Sequence, residues 1–389
     1  MRALHALGHA LALAGSMTWE ILWALVLGFL LSSVVQAVVP RQGVSRLLGG
    51  SGPRALATAG VLGAASSSCS YAAAALARAL FRQGASFTAA MAFEIASTNL
   101  VFELGAVLAV LIGWQFTLAE FVAAPVMMAV VALEFRLVLT PRLLESARRQ
   151  AGRGLAGAME GHAAMDMSVP GSHSWWRKLA SGPGLTSVSH IFYMEWASVA
   201  REIAGGLLVA GAVAAWVPAG FWTHLFLVGH PLASKLWGPF VGPVVSMAAF
   251  VCSVGNVPLA AVLWNGGISF GGVASFVLAD LVIVPLLVIY RRYYGTRVAL
   301  VILGCFYVAM VVAGFVVEGV FGAAGLVPAA RHAKVVEVSV GLDYTTALNL
   351  AFVALSALLA VRFVRTGGPA MLAMMGEADS RHSCHHDAR

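Results

Sequence analysis

The chain has 389 residues, of which 60% are hydrophobic and only 11% charged. A soluble protein of that length needs roughly a quarter of its residues charged to cover its surface, so a water-soluble globular domain is excluded and a lipid bilayer is the implied solvent. The net charge of +7 does not point to nucleic acid, because the basic residues stand in short clusters between apolar stretches, the pattern of cytoplasmic loops in membrane proteins.

Crossing a bilayer takes about 20 apolar residues. Spanning or embedded segments are predicted at 18–39, 56–80, 87–113, 118–139, 188–216, 239–264, 269–290, 298–322 and 345–364. The first has no small-residue exit of a cleaved leader and reads as a retained helix. The stretch 141–187 differs: it carries Arg142, Arg148, Arg149, Arg153, Arg177 and Lys178 among Gly, Ser and Pro, and reads as a cytoplasmic polar linker. The expected organisation is an N-terminal membrane half over 1–140, this linker, a C-terminal membrane half over 188–365, and a flexible tail over 366–389.

Basic residues flank segment 56–80 on both sides: Arg41, Arg46 and Arg54 before it, Arg78 and Arg82 at its end. A simple span cannot place both flanks in the cytoplasm, whereas a re-entrant hairpin can. The segment's centre, Ala64 to Ala75, reads AASSSCSYAAAA. Such a hydroxyl-rich break is tolerated at membrane depth only when it is buried in protein or lines a wet cavity.

The chain also matches itself at an offset of 183 residues, with 11 identities over the 33 ungapped positions 69–101. Cys69-Ser70 falls on Cys252-Ser253, and Gly84-x-Ser86-Phe87 on Gly267-x-Ser269-Phe270. The link at Gly84 is flanked by arginines; that at Gly267 is uncharged, and Arg291 and Arg292 follow one segment later. The two copies are therefore expected in opposite sense. The predicted fold is an all-α polytopic membrane protein with about 8–10 membrane segments in two inverted repeats, with interrupted or re-entrant helices.

In transporters of that design, broken segments from the two halves meet near the midplane and form the substrate site. Cys69, Ser70, Cys252, Ser253, Gly255, Asn256 and Pro258 are the candidates for substrate contact. The thiols suit soft species such as Cu(I), Zn(II) or trivalent arsenic, or else pack as small buried residues. Gly255 and Pro258 loosen the helix around Asn256, as a site or as a simple kink. Asp280 stands mid-segment, where charge is costly and marks function by default; Ser97 aligns with it in the first copy, beside Glu94 and Asn99. Glu94, Ser97, Asn99 and Asp280 are expected to form a polar lining or to couple protons, or else to hydrogen-bond between helices. Glu195, Arg201 and Glu202 are read as an internal ion pair, and Glu20 and Glu318 as interfacial.

Two polar stretches carry soft ligands: His162, Met165, Met167 and His173 in the linker, and His382, Cys384, His385 and His386 in the tail. The tail set is a candidate for metal capture. No nucleophile elbow, phosphate-cradling glycine loop or H-E-x-x-H motif occurs, so an enzyme is not expected, and no cofactor is implied.

The run Cys252-Ser-Val-Gly-Asn-Val-Pro-Leu-Ala, followed by Asn265-Gly-Gly-Ile-Ser-Phe-Gly-Gly and Ala279-Asp280, resembles the predicted-permease family that contains the organoarsenical efflux permeases (ArsP/YraQ-like). Cys69–Phe93 resembles the same motif in weaker form. The resemblance implies a multi-pass permease of a bacterial-type plasma (inner) membrane, with an organoarsenical or a soft metal ion as cargo. A Cys-x-Cys-Gly turn with a following Pro is common in the family's first repeat; here Tyr71, Ala72 and Ala75 stand at those places, so a thiol-rich arsenic site does not carry over. The expected partners are thus a small-molecule or metal-ion substrate and the bilayer, not nucleic acid, and a homo-oligomer is compatible with this reading. A Cu/Zn exporter with a collecting tail and a non-transporting membrane scaffold are the rival readings.

Overall fold

The computed structural model describes residues 2–38, 48–68, 70–152, 175–249, 253–331, 333 and 344–372, and every regular element among them is a helix. Hydrocarbon offers the backbone no partners, and a helix satisfies its N–H and C=O groups within one segment.

In chain order the first half comprises α1 (Arg2–Val38), α2 (Pro53–Ser66), α3 (Ser70–Arg82), α4 (Phe87–Asn99), α5 (Phe102–Leu111) and α6 (Trp114–Val138). The amphipathic helix α7 (Pro141–Gly152) and the short α8 (Trp175–Ala180) follow. Then come α9 (Gly182–Trp216), α10 (Ala219–Leu225), α11 (Pro231–Ala249), α12 (Ser253–Gly266), α13 (Phe270–Val277), a 3₁₀ turn over Leu278–Val282, α14 (Val284–Tyr294), α15 (Thr296–Ala323) and α16 (Tyr344–Arg365).

Among the described residues, Trp114–Val138, Thr296–Ala323 and Thr346–Arg365 are long and apolar enough to cross a membrane, and the number rises to 5 if two bent pairs each count as one span. Those pairs are α4 with α5, bent by 41°, and α13 through its 3₁₀ turn with α14, bent by 46°. Neither bend was expected from the apolar runs 87–113 and 269–290. The first falls at Leu100–Val101, where Val101 turns extended (φ −105°, ψ 147°). The second falls at Ile283, which is also extended, and Pro285 fits the opening turn of the helix that restarts there. Segment 56–80 is divided as well, between α2 and α3, and in segment 239–264 α11 and α12 stand on either side of 250–252, which lie outside the described residues.

The helices sit close because small residues line their crossings. A Cβ added to Gly63 of α2 would lie 2.5 Å from Phe93 O and 2.9 Å from Ala96 Cβ of α4. A Cβ on Gly242 of α11 would lie 2.5 Å from Gly272 O and 2.6 Å from Ser275 Oγ of α13. Around this centre α1 packs along α9, and α16 packs against both. Buried Asn349 of α16 accepts from Trp23 N (2.9 Å) and donates to Trp19 O (2.8 Å) of α1.

The turns that join α3 to α4 and α12 to α13 are built alike, 183 residues apart. Gly84 (φ +109°) and Gly267 (φ +108°) occupy the left-handed region that ends a helix without a Cβ clash. Ala85 N donates to Leu80 O (3.0 Å) and Ile268 N to Leu263 O (3.2 Å), closing the same six-residue loop. Ser86 and Ser269 then cap the next helices, accepting from Ala89 N and Gly272 N, both at 3.1 Å. Phe81 meets Phe87 edge to face at 5.2 Å, as Trp264 meets Phe270 at 6.4 Å.

The two turns lie toward opposite ends of α15. Near its start, Tyr294 packs its ring on Phe81 and Phe87 (6.1 and 5.1 Å) beside the first turn. Near its end, Glu318 accepts from Gly271 N (2.7 Å), just past the second.

Candidate functional site

The polar side chains buried where the broken segments converge come from both halves. Ser70, the first residue of α3, donates through Oγ to Asp280 Oδ2 at 2.6 Å. That bond joins residues 210 apart in sequence. Asp280 lies on the 3₁₀ turn between α13 and α14, fully buried. It is within Coulombic range of Glu94 on α4 and Glu120 on α6, both buried as well. Tyr290 of α14 donates its hydroxyl to Glu94 Oε1 at 2.5 Å. Glu94 Oε2 and Glu120 Oε1 have no hydrogen-bond partner among the described residues. Three buried carboxyl groups thus share an interior in which ionised acids are costly unless paired, protonated or met by a cation.

The local backbone explains why these groups gather. Where α4 ends at Asn99, its last carbonyls lack helical partners. Ser68 N, in the break after α2, donates to Ser97 O at 2.9 Å and so docks the break against the bend. Ser67 of the same break donates its hydroxyl to Glu103 on α5. Ser97 and Thr98 turn their hydroxyls back onto Glu94 O (3.0 and 3.3 Å), and Asn99 donates to Ile95 O and Thr98 Oγ1 (3.1 and 2.8 Å). These three therefore shape the end of α4, while Asn99 Oδ1 remains without a partner among the described residues.

Of the expected site residues, Ser70, Glu94 and Asp280 are brought together. Ser97 and Asn99 lie one turn beyond Glu94 on the same buried helix. Gly255, Asn256 and Pro258 are buried within α12, which continues through the proline. Asn256 donates to Ser246 Oγ of α11 at 2.9 Å, and its Oδ1 has no partner among the described residues. Cys69, Cys252, and the tail residues His382, Cys384, His385 and His386 lie outside the described residues, as do His162, Met165, Met167 and His173 and the side chains of Ser253, Glu20, Glu195, Arg201 and Glu202. Among the described residues no three of His, Cys, Asp and Glu form a metal-binding group.

Sequence reasoning missed Glu120 and Tyr290. Glu120 stood three residues inside a segment predicted to begin at 118, where a carboxylate is cheap. The helix in fact begins at Trp114 and buries it. Glu318, expected at the interface, lies near the end of α15 and accepts from the opening turn of α13, with Lys235 Nζ 3.8 Å from its other oxygen.

Bent apolar helices around buried acids define a membrane-embedded protein of the permease type. The chain belongs to the family described as "Predicted permease" (ArsP_1), whose model matches residues 6–319. It is 60% identical over 373 residues to a Mycobacterium tuberculosis (strain ATCC 25618 / H37Rv) protein named "Putative permease Rv2963", a match covering 96% of this chain and 92% of that one. No solved structure matches the chain.

Proposed function

We propose that this chain is an efflux permease of the plasma (inner) membrane, driven by protons or by the membrane potential, for a small toxic species such as an organoarsenical or a soft metal ion. Halves 1–140 and 188–365 act as inverted repeats joined by the cytoplasmic linker 141–187. Supporting the opposite sense are the two like-built turns at opposite ends of α15. Alternating access then follows from two related packings of the same parts.

The observation that carries the reading is the buried Ser70–Asp280 contact between the halves, with buried Glu94 and Glu120 within electrostatic reach of Asp280. Asp280 and Glu94 exchange protons with the two sides in turn, and Tyr290 holds Glu94 in place. Glu120 adds a third charge that makes simultaneous ionisation unfavourable, so cargo and proton compete for the same interior. Cys69, Ser70, Cys252, Ser253, Gly255, Asn256 and Pro258 contact the cargo.

The test is a panel of organoarsenicals and soft metal ions in everted vesicles, with and without a pH gradient. Gradient-dependent uptake of at least one panel member is expected, and Asp280→Asn abolishes it. Full gradient-driven flux in that variant removes Asp280 from the mechanism; no flux of any member favours a scaffold.

A further inference from the structure

Two arginines outside the acidic centre make the same contacts at two distant places. Arg148, on α7, lies with Cζ 4.6 Å from the ring centroid of Phe81 and donates through Nη2 to Ala85 O at 3.3 Å. Arg331, in the segment after α15, lies with Cζ 4.3 Å from the ring of Trp264 and donates through Nη1 to Ile268 O at 2.7 Å and Trp264 O at 2.9 Å. Arginine, aromatic ring and accepting carbonyl are each 183 positions apart in the sequence, the offset that relates the two turns. The arginines themselves fall outside the stretch of local self-similarity.

Each arginine therefore closes one turn in the same way. The planar guanidinium stacks on the aromatic residue that starts the turn and donates to the carbonyl that ends it, a geometry lysine cannot reproduce. Further bonds tie each covering segment down. At the first turn Arg78 donates twice to Ala151 O (3.1 and 3.0 Å), and Gln150 donates to Arg292 O (3.1 Å). At the second, Asn265 and Ala333 exchange a pair of bonds, with Asn265 Nδ2 donating to Ala333 O (3.1 Å) and Ala333 N to Asn265 Oδ1 (2.9 Å).

The two closures also lie far apart. α15 has 28 residues, a length of about 42 Å, against roughly 30 Å for a hydrocarbon core. The first turn lies toward its start and the second toward its end, and Arg148 and Arg331 are both exposed. Each turn leads directly into one acid-bearing element: α4 with Glu94, or α13 and its 3₁₀ turn with Asp280.

We infer that Arg148 and Arg331 are equivalent, side-specific positioning residues, each holding one turn closed over its own end of the acidic centre, so that releasing one opens that end alone. This deepens the permease reading and rests on it, but its test needs no cargo. Ala85 and Ile268, the residues whose carbonyls the arginines hold, are fully buried. Ala85→Cys or Ile268→Cys is introduced into the full chain and treated with a membrane-impermeant maleimide, in everted vesicles and in intact cells. Modification at that residue is read by peptide mass spectrometry, which separates it from the native cysteines.

With both arginines present, both positions should label slowly. Arg148→Ala should raise labelling of the cysteine at 85 by about tenfold or more in everted vesicles and leave position 268 unchanged. Arg331→Ala should do the reverse in intact cells, and Arg→Lys at either place should fall between. Unchanged labelling beneath the replaced arginine overturns the inference, as does joint labelling of both cysteines in either single variant, or labelling of both from the same side. If an alanine variant does not accumulate in the membrane, the lysine variant carries the same comparison. A chain that passes this test yet moves no panel member has its closures but not its proposed cargo, so the two failures are distinguishable.

Discussion

The bond between Tyr290 and Glu94 gives a magnitude that can be measured without knowing the cargo. Tyr290→Phe removes one oxygen and leaves the ring, so no cavity forms around this fully buried side chain. What is lost is the 2.5 Å bond to Glu94 Oε1. Because Glu94 Oε2 already lacks a partner among the described residues, the variant leaves the carboxyl group poorly satisfied, which costs about 1–3 kcal/mol for a buried acceptor. Glu94→Leu orphans the tyrosine hydroxyl instead, at a similar cost. The double variant removes both polar groups and should be destabilised by less than the sum of the two, by roughly 1 kcal/mol. That figure lies between the average of about 0.6 kcal/mol and the maximum of about 1.7 kcal/mol found for hydrogen bonds between membrane helices. Reversible unfolding of the purified chain in mixed micelles gives all four stabilities. Additivity to within about 0.3–0.5 kcal/mol would mean that the two groups do not interact, and the reasoning about this centre would fail.

Gly314→Ala should destabilise the chain by about 1–3 kcal/mol, because its Cβ would stand 2.7 Å from Gly271 O and 3.0 Å from Pro239 Cβ; the same unfolding assay reads it. Glu318→Leu should cost about 1–2 kcal/mol by stranding Gly271 N, and Glu318→Gln, which still accepts, should recover most of it; equal losses in both would assign the effect to charge. Truncation after Met375 removes His382, Cys384, His385 and His386; copper and zinc tolerance of cells should be unchanged if the cargo is an organoarsenical and reduced if the tail collects metal for export.

Part of this architecture could be read from residues because the residues carry local chemistry. Gly84-x-Ser86 and Gly267-x-Ser269 were legible as a repeat because a left-handed glycine and a helix-capping serine are required by the turn they make. Asp280 and Glu94 stood out because charge at membrane depth is costly. Tyr290 gave no signal, since a tyrosine near the end of an apolar run is ordinary at an interface, and only folding places its hydroxyl on Glu94. The pairing of Arg148 with Arg331 was hidden for another reason. Across 141–152 and 324–335 only Leu143, Ala147 and Arg148 match Leu326, Ala330 and Arg331, too few to register, and one arginine sits in a helix while the other does not. What is shared is the carbonyl and ring beneath each guanidinium, which is a property of three dimensions.

The shortness of α2 and α3, 14 and 13 residues, bears on how the chain is made. Each reaches only about 20 Å, less than the hydrocarbon core, so neither has a stable resting place in lipid when it leaves the ribosome. Gly63 seats on Phe93 O and Ser68 N on Ser97 O, and both partners belong to a helix translated later. The pair is therefore expected to settle only once α4 has emerged, so that the three elements of the first half assemble together rather than helix by helix. A nascent chain truncated before Phe87 should then leave α2 and α3 accessible to an impermeant label.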